Sequence, residues 1–197
     1  MNIYLYFHAG SKNHGCEAIV KTTADLFTIT PTLISQAPDQ DYFYELDSIV
    51  NIVPEGVFKP KIYEKVFIKL FEKLIHSEKY TYKVKAKYLL KKINKGGIAL
   101  SIGGDNYCYG KEYNWLLSNM NEFFHKKSIK TVLWGCSVEQ EYITRDVEND
   151  FSKYDLITAR ESISFNILKK YNKNTILVAD TAFFLDKEEL PLPKYFI

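Results

Sequence analysis

From residue 97 onward the chain alternates at short intervals between runs suited to buried strands and segments with helical spacing. Gly97–Ser101 (GIALS), Lys130–Trp134 (KTVLW), Asp155–Ala159 (DLITA) and Thr175–Val178 (TILV) read as strands. Helices are expected near Glu112–Lys126, Thr144–Phe151 and Ser162–Tyr171. Short apolar strands joined through helices run parallel, because a parallel connection must cross over the sheet and the helix buries its apolar stripe there. The expected fold is therefore α/β, a Rossmann-like parallel sheet with helices on both faces.

The first half adds strands at Asn2–Phe7 (NIYLYF) and Pro31–Ser35 (PTLIS), with a helix from His14 or Gly15 to Phe27 between them. Residues 37–60 are polar and read as mostly irregular, with a short strand at Ser48–Val53. From Lys61 to His76 the apolar positions 62, 63, 66, 67, 70, 71 and 74 form one helical stripe, and a second lysine-rich helix is expected over Tyr82–Ile93. Residues 1–185 read as one Rossmann-like domain, and 186–197 (DKEELPLPKYFI) as a linker-like tail.

Charge separates along this frame. The net charge of +2 does not call for nucleic acid as a partner. Residues 59–96, however, hold twelve lysines against three glutamates. The plain reading is a pair of surface helices whose apolar stripe packs on the domain. The functional alternative is a cationic face resting on an anionic membrane. The three cysteines, Cys16, Cys108 and Cys136, form no CxxC pair. They argue against a disulfide framework or structural zinc and for a reducing, cytoplasmic setting. The apolar start of MNIYLYFHAG is too short for a signal peptide or a membrane span. Only Arg145 and Arg160 stand among 26 basic residues, which singles out two positions where a planar, bidentate cation is retained.

Ligands of open parallel sheets bind beyond the carboxyl ends of the strands. The segments there are HAGSKNHGCEA, IGGDNY, GCSVE, RESIS and ADTAFF. Each has an ordinary structural explanation: glycine turns, Ser162 or Asp180 as helix caps, Arg145 paired with Asp146, His8 and His14 as loop histidines. Taken together they describe the walls of one crevice. A dinucleotide site is disfavoured, since residues 8–15 lack a GxGxxG loop.

In this order and spacing, AGSKNHGCEAI, SIGGDNY, WGCSVE, TARESIS and VADTAFF resemble the motifs of the polysaccharide pyruvyl transferase family. Cys16 departs from the aspartate common there, and Glu17 is its expected substitute. The resemblance implies one half of a two-domain arrangement similar to GT-B glycosyltransferases. It also implies transfer of a pyruvyl group from phosphoenolpyruvate to sugar hydroxyls of a surface polysaccharide, forming a ketal. The second half of that arrangement is not expected within these residues, so a separate C-terminal half or a homo-oligomer would complete it.

The implied partners are phosphoenolpyruvate and a glycan acceptor, lipid-linked in one version, with no cofactor and no metal. Asp105, Glu17 and His14 are the expected proton carriers. Arg160, Asn13, Gly15, Gly103, Gly104, Asn106, Glu161, Ser162 and Asp180 are the expected binding residues. An arginine fork and helix N-termini suit a donor bearing carboxylate and phosphate. A nucleotide-sugar glycosyltransferase and a non-catalytic glycan-assembly fragment are the alternatives.

Overall fold

A computed structural model of the chain describes residues 1–185. Seven strands form one sheet: β1 (Ile3–His8), β2 (Thr32–Ser35), β3 (Asn51–Pro54), β4 (Gly97–Ser101), β5 (Ile129–Cys136), β6 (Leu156–Ala159) and β7 (Thr175–Leu177). Every pairing is parallel and the spatial order is β3-β2-β1-β4-β5-β6-β7. The order reverses direction at β1, which pairs Tyr4 with Thr32 of β2 on one side and with Ala99 of β4 on the other. The crevice beyond the carboxyl ends of β1 and β4 is therefore a topological switch point.

The helices are α1 (His14–Asp25), α2 (Pro38–Phe43), α3 (Ile62–Ile75), α4 (Lys79–Leu89), α5 (Lys111–Lys126), α6 (Arg145–Phe151) and α7 (Ser162–Leu168). Side chains alternate across the strands and split the core in two. Ile3 and Leu5 of β1 join Leu33, Leu100 and Val132 under Ile19, Val20 and Ala24 of α1. Tyr4 and Tyr6 point the other way, toward Leu117, Met120 and Phe124 of α5, Ala86 of α4, Phe151 of α6 and Leu168 of α7. Helices thus cover both faces, as the strand–helix rhythm requires.

The second core holds a polar network. Tyr6 donates to Asn121 at 2.5 Å, Tyr107 donates to Asp150, and the Tyr107 and Tyr154 hydroxyls lie 3.0 Å apart. Burial pushes the Asp150 carboxyl up, against the pull of its bonds to Tyr107, Ser118 and Asn121. This network ties the segment after β4 to α6, and so holds one side of the crevice in place.

Three expectations are corrected. Residues 38–43, read as irregular, form α2, with Pro38 preset for a first helical turn and Asp41 buried beneath the loop after β1. Helix α4 starts at Lys79, earlier than Tyr82, because Phe71 and Tyr80 stack with ring centroids 4.6 Å apart and hold its first turn against α3. The apolar stripe of α3 does not pack on the domain: Ile62, Val66, Leu70 and Leu74 are 82%, 62%, 47% and 70% exposed. The linker-like tail at 186–197 lies outside the described residues.

Candidate functional site

The loops after β1 and β4 and the end of β6 enclose a crevice of about 460 Å³. Its lining includes Asn13, Gly15, Gly103, Gly104, Asp105, Asn106 and Arg160, seven of the residues singled out from sequence. A larger cavity, about 580 Å³, lies between the α3–α4 hairpin and α5–α6, away from these strand ends.

Arg160 organises the crevice. It follows β6 directly, and each arm of its guanidinium is held: Nε donates to Ser137 Oγ at 2.7 Å, Nη1 to Asp180 Oδ2 at 3.0 Å and Nη2 to Asp105 Oδ1 at 2.8 Å. Asp180 uses its other oxygen to accept from Ala182 N–H at 3.0 Å, so it caps the 3₁₀ turn Thr181–Phe184 as well as pairing with Arg160. Asp105 is the loosest partner, its side chain half exposed against 20% for Asp180.

The two glycines have separate duties. At Gly103 a Cβ would lie 1.8 Å from Asn106 Oδ1, and Asn106 is itself fixed by donating to Ser101 Oγ at 2.6 Å. At Gly104 a Cβ would lie 2.6 Å from Arg160 Nη1. The Gly104 carbonyl also accepts from Ser137 N–H at 2.7 Å, which knits the β4 loop to the end of β5. The GGD turn is bare because an asparagine and an arginine need the space.

On the opposite wall Asn13 caps α1, its Oδ1 accepting from Gly15 N–H at 3.0 Å. The loop before it rests on a buried cluster. His8 Nε2 lies 2.9 Å from Asp41 Oδ1, Ser11 donates to the same oxygen at 2.6 Å, and Ser35 donates to Oδ2. Burial would raise the Asp41 carboxyl, but its bonds to His8, Ser11 and Ser35 together bring it below the ordinary value. Phe7 precedes this cluster with φ of 65°, an unfavourable setting for a bulky residue, and its ring faces the crevice. Tyr113 meets Phe7 edge to face at 6.4 Å, and Tyr109 lies 5.8 Å from Tyr113. Together they form an aromatic wall.

Other expected residues stand outside the lining. His14 Nδ1 lies 2.9 Å from Glu17 Oε2, and Lys21 donates to Glu17 Oε1 at 2.6 Å, along the first turns of α1. Burial pushes Glu17 up, yet the bonds from His14 and Lys21 leave its carboxyl below the ordinary range. Glu161, not Ser162, caps α7 by accepting from Ile163 and Ser164 N–H at 2.6 and 2.8 Å. The free N–H groups expected there are thus already taken. Asp146 pairs with Lys79 at 2.6 Å rather than with its neighbour Arg145. Cys16 lines the crevice, and burial, with Asp105 and Asp41 nearby, pushes its thiol up. Among the described residues no three His, Cys, Asp or Glu side chains group as metal ligands.

The model of the family described as polysaccharide pyruvyl transferase matches residues 13–195. The chain belongs to this family. No match was found among curated proteins or solved structures. In this pyruvyl transferase family member the match begins at Asn13, the cap of α1, and takes in every strand-end loop from there to the Asp180 turn. Family membership indicates a transferase.

Residues that sequence reading missed are those defined by contact alone. Asp41, Gln40, Tyr109 and Tyr113 lie in none of the quoted segments. Gln40, for example, accepts from Lys12 N–H at 3.1 Å from another helix. Ser137 lay within a quoted strand-end segment, but its bond to Arg160 crosses 23 positions.

Proposed function

We propose that the crevice binds phosphoenolpyruvate and transfers its pyruvyl group to two hydroxyls of a glycan as a ketal. The observation that carries this reading is the Arg160 fork at the switch point of a sheet belonging to this family. Ser137 and Asp180 fix the guanidinium at Nε and at Nη1, and half-exposed Asp105 occupies Nη2 between them, where a donor carboxylate would exchange for it.

That exchange would free Asp105 for proton transfer. It accepts the proton of the first sugar hydroxyl as the oxygen adds to C2 of the donor, and delivers that proton to C3, which becomes the methyl group. The C2–O–phosphate bond then breaks, and the second hydroxyl takes the vacated position. Its proton leaves with inorganic phosphate, so the sum is donor plus diol giving ketal plus phosphate. The Phe7–Tyr113–Tyr109 wall supplies an apolar face against which a sugar ring can lie.

The test is an NMR titration of the chain with phosphoenolpyruvate, with Arg160→Ala and a nucleotide sugar as controls. Saturable shifts in the crevice that vanish in the variant are expected. Shifts with the nucleotide sugar alone would move the assignment to a glycosyltransferase, and shifts that persist unchanged in Arg160→Ala would remove the role of the fork.

A further inference from the structure

Helix α3 carries its apolar residues on the side that a domain helix normally gives to water. At about 100° per residue, Ile62, Tyr63, Val66, Phe67, Leu70 and Leu74 fill one continuous arc. That arc faces outward, with all six residues between 47% and 82% exposed. The side facing the body holds Glu64 and Ile68.

The charges of α3 are sorted as well. Both of its carboxylates are engaged away from the apolar arc. Glu64 accepts from the Tyr88 hydroxyl at 2.5 Å, from Lys87 Nζ at 3.2 Å and from Lys61 N–H at 2.8 Å. Glu72 accepts from Thr81 at 2.8 Å. Lys65, Lys69 and Lys73 are exposed and recur every fourth residue along one border of the arc. They stand in a segment that carries twelve lysines in all.

We propose that α3 is a membrane-interface helix: its apolar arc enters the boundary between headgroups and acyl chains of an anionic bilayer, and its lysines meet the lipid phosphates. An amphipathic helix of this charge and moment binds in the interfacial plane. At 14 residues α3 is roughly 21 Å long. Among the described residues no helix is long and apolar enough to cross a membrane. Charge complementarity selects the lipid surface over a second copy of the chain. A two-fold contact would lay the same lysine-bordered face on itself, with both α3 carboxylates already turned to α4. An anionic bilayer supplies the opposite sign and an apolar phase in one surface. Docking by α3 would bring the crevice to acceptors carried on lipid. That consequence rests on the transferase reading, whereas the docking does not.

The test is flotation of the chain with vesicles of phosphatidylcholine alone or of equimolar phosphatidylcholine and phosphatidylglycerol. Binding to the anionic vesicles at low salt, weakening steeply as salt rises, is expected. The combined variant Val66→Ser, Leu70→Ser and Leu74→Ser should reduce binding by about tenfold or more with an unchanged circular dichroism spectrum, since these side chains are exposed. In Phe67→Trp, brominated acyl chains should quench the new fluorophore. Absence of binding to anionic vesicles at low salt overturns the proposal. So does binding that survives the serine variant without quenching, which would be adsorption by charge alone. A dimer in sedimentation that the serine variant dissolves, without vesicle binding, would assign the face to a second copy. None of these outcomes depends on phosphoenolpyruvate, so the docking and the transferase reading can fail separately.

Discussion

Gly104 lies flat against the guanidinium of Arg160, so close that a Cβ at residue 104 would sit 2.6 Å from Nη1. The glycine is therefore part of the arginine's setting. Gly104→Ala should displace the fork while leaving the sheet intact, weakening phosphoenolpyruvate binding by about tenfold, or about 1.4 kcal/mol. Titration of the variant beside a thermal melt checks this. Unchanged affinity would mean that the fork does not hold the donor.

Arg160→Lys separates charge from geometry. Lysine keeps the positive charge near Asp180 and Asp105 but cannot span Ser137, Asp180 and Asp105 together. Donor affinity in Arg160→Lys should fall nearly as far as in Arg160→Ala. Near-wild-type binding by the lysine variant would show that a point charge suffices.

Tyr107 tests the support behind the GGD turn. Its hydroxyl donates to Asp150 and lies 3.0 Å from that of Tyr154, with all three residues buried. Tyr107→Phe leaves Asp150 short of a donor and should cost about 1–3 kcal/mol. In a chain of this size that corresponds to a midpoint lowered by roughly 2–4 °C per kcal/mol. A melt unchanged by the substitution would contradict the role given to the network.

Glu55 sets a pH dependence. Burial pushes its carboxyl up to about 7, against hydrogen bonding to Gln36 and the charge of Lys85, and its Oε1 is buried without a partner. The folded state thus holds a proton that the unfolded chain releases near the ordinary value of 4.5. This contribution to stability is complete below that value and is lost as pH rises through about 7. Glu55→Gln should flatten the slope of denaturation midpoint against pH across this window. An identical slope in the variant would assign it to other groups.

Glu64 gives the opposite sign. The Tyr88 hydroxyl, then the Lys61 backbone N–H, hold its carboxyl down to about 2. Its contribution is present above the ordinary value of 4.5 and is lost as pH falls toward 2. Glu64→Gln should reduce the acid sensitivity of the α3–α4 hairpin, read by hydrogen exchange at matched pH values.

The strands and most helices were legible from the chain itself, because a parallel sheet demands apolar runs and its crossovers demand helical spacing. Gly97–Ser101 is bounded in the fold as it is read from sequence. The segments beyond the strand ends were legible for the same reason: where strands stop, polar and glycine-rich residues gather, and Arg160, Asp105 and the two glycines were singled out there. Local pattern ends at contact. Which hydroxyl and which carboxylates hold Arg160 depends on loops from β4, β5 and β7 meeting at one sheet edge. That Glu161 rather than Ser162 caps α7 depends on one backbone angle and a side chain's reach. Helix α2 has too few residues to show a period, and its burial of Asp41 beneath His8, Ser11 and Ser35 fixes it from outside. The amphipathic stripe of α3 was plain in the sequence, but periodicity gives a helix a face without saying what the face meets. Only the packing of α3 on α4, with Glu64 bonded to Tyr88 and Lys87 and Ile68 buried, turned that stripe outward.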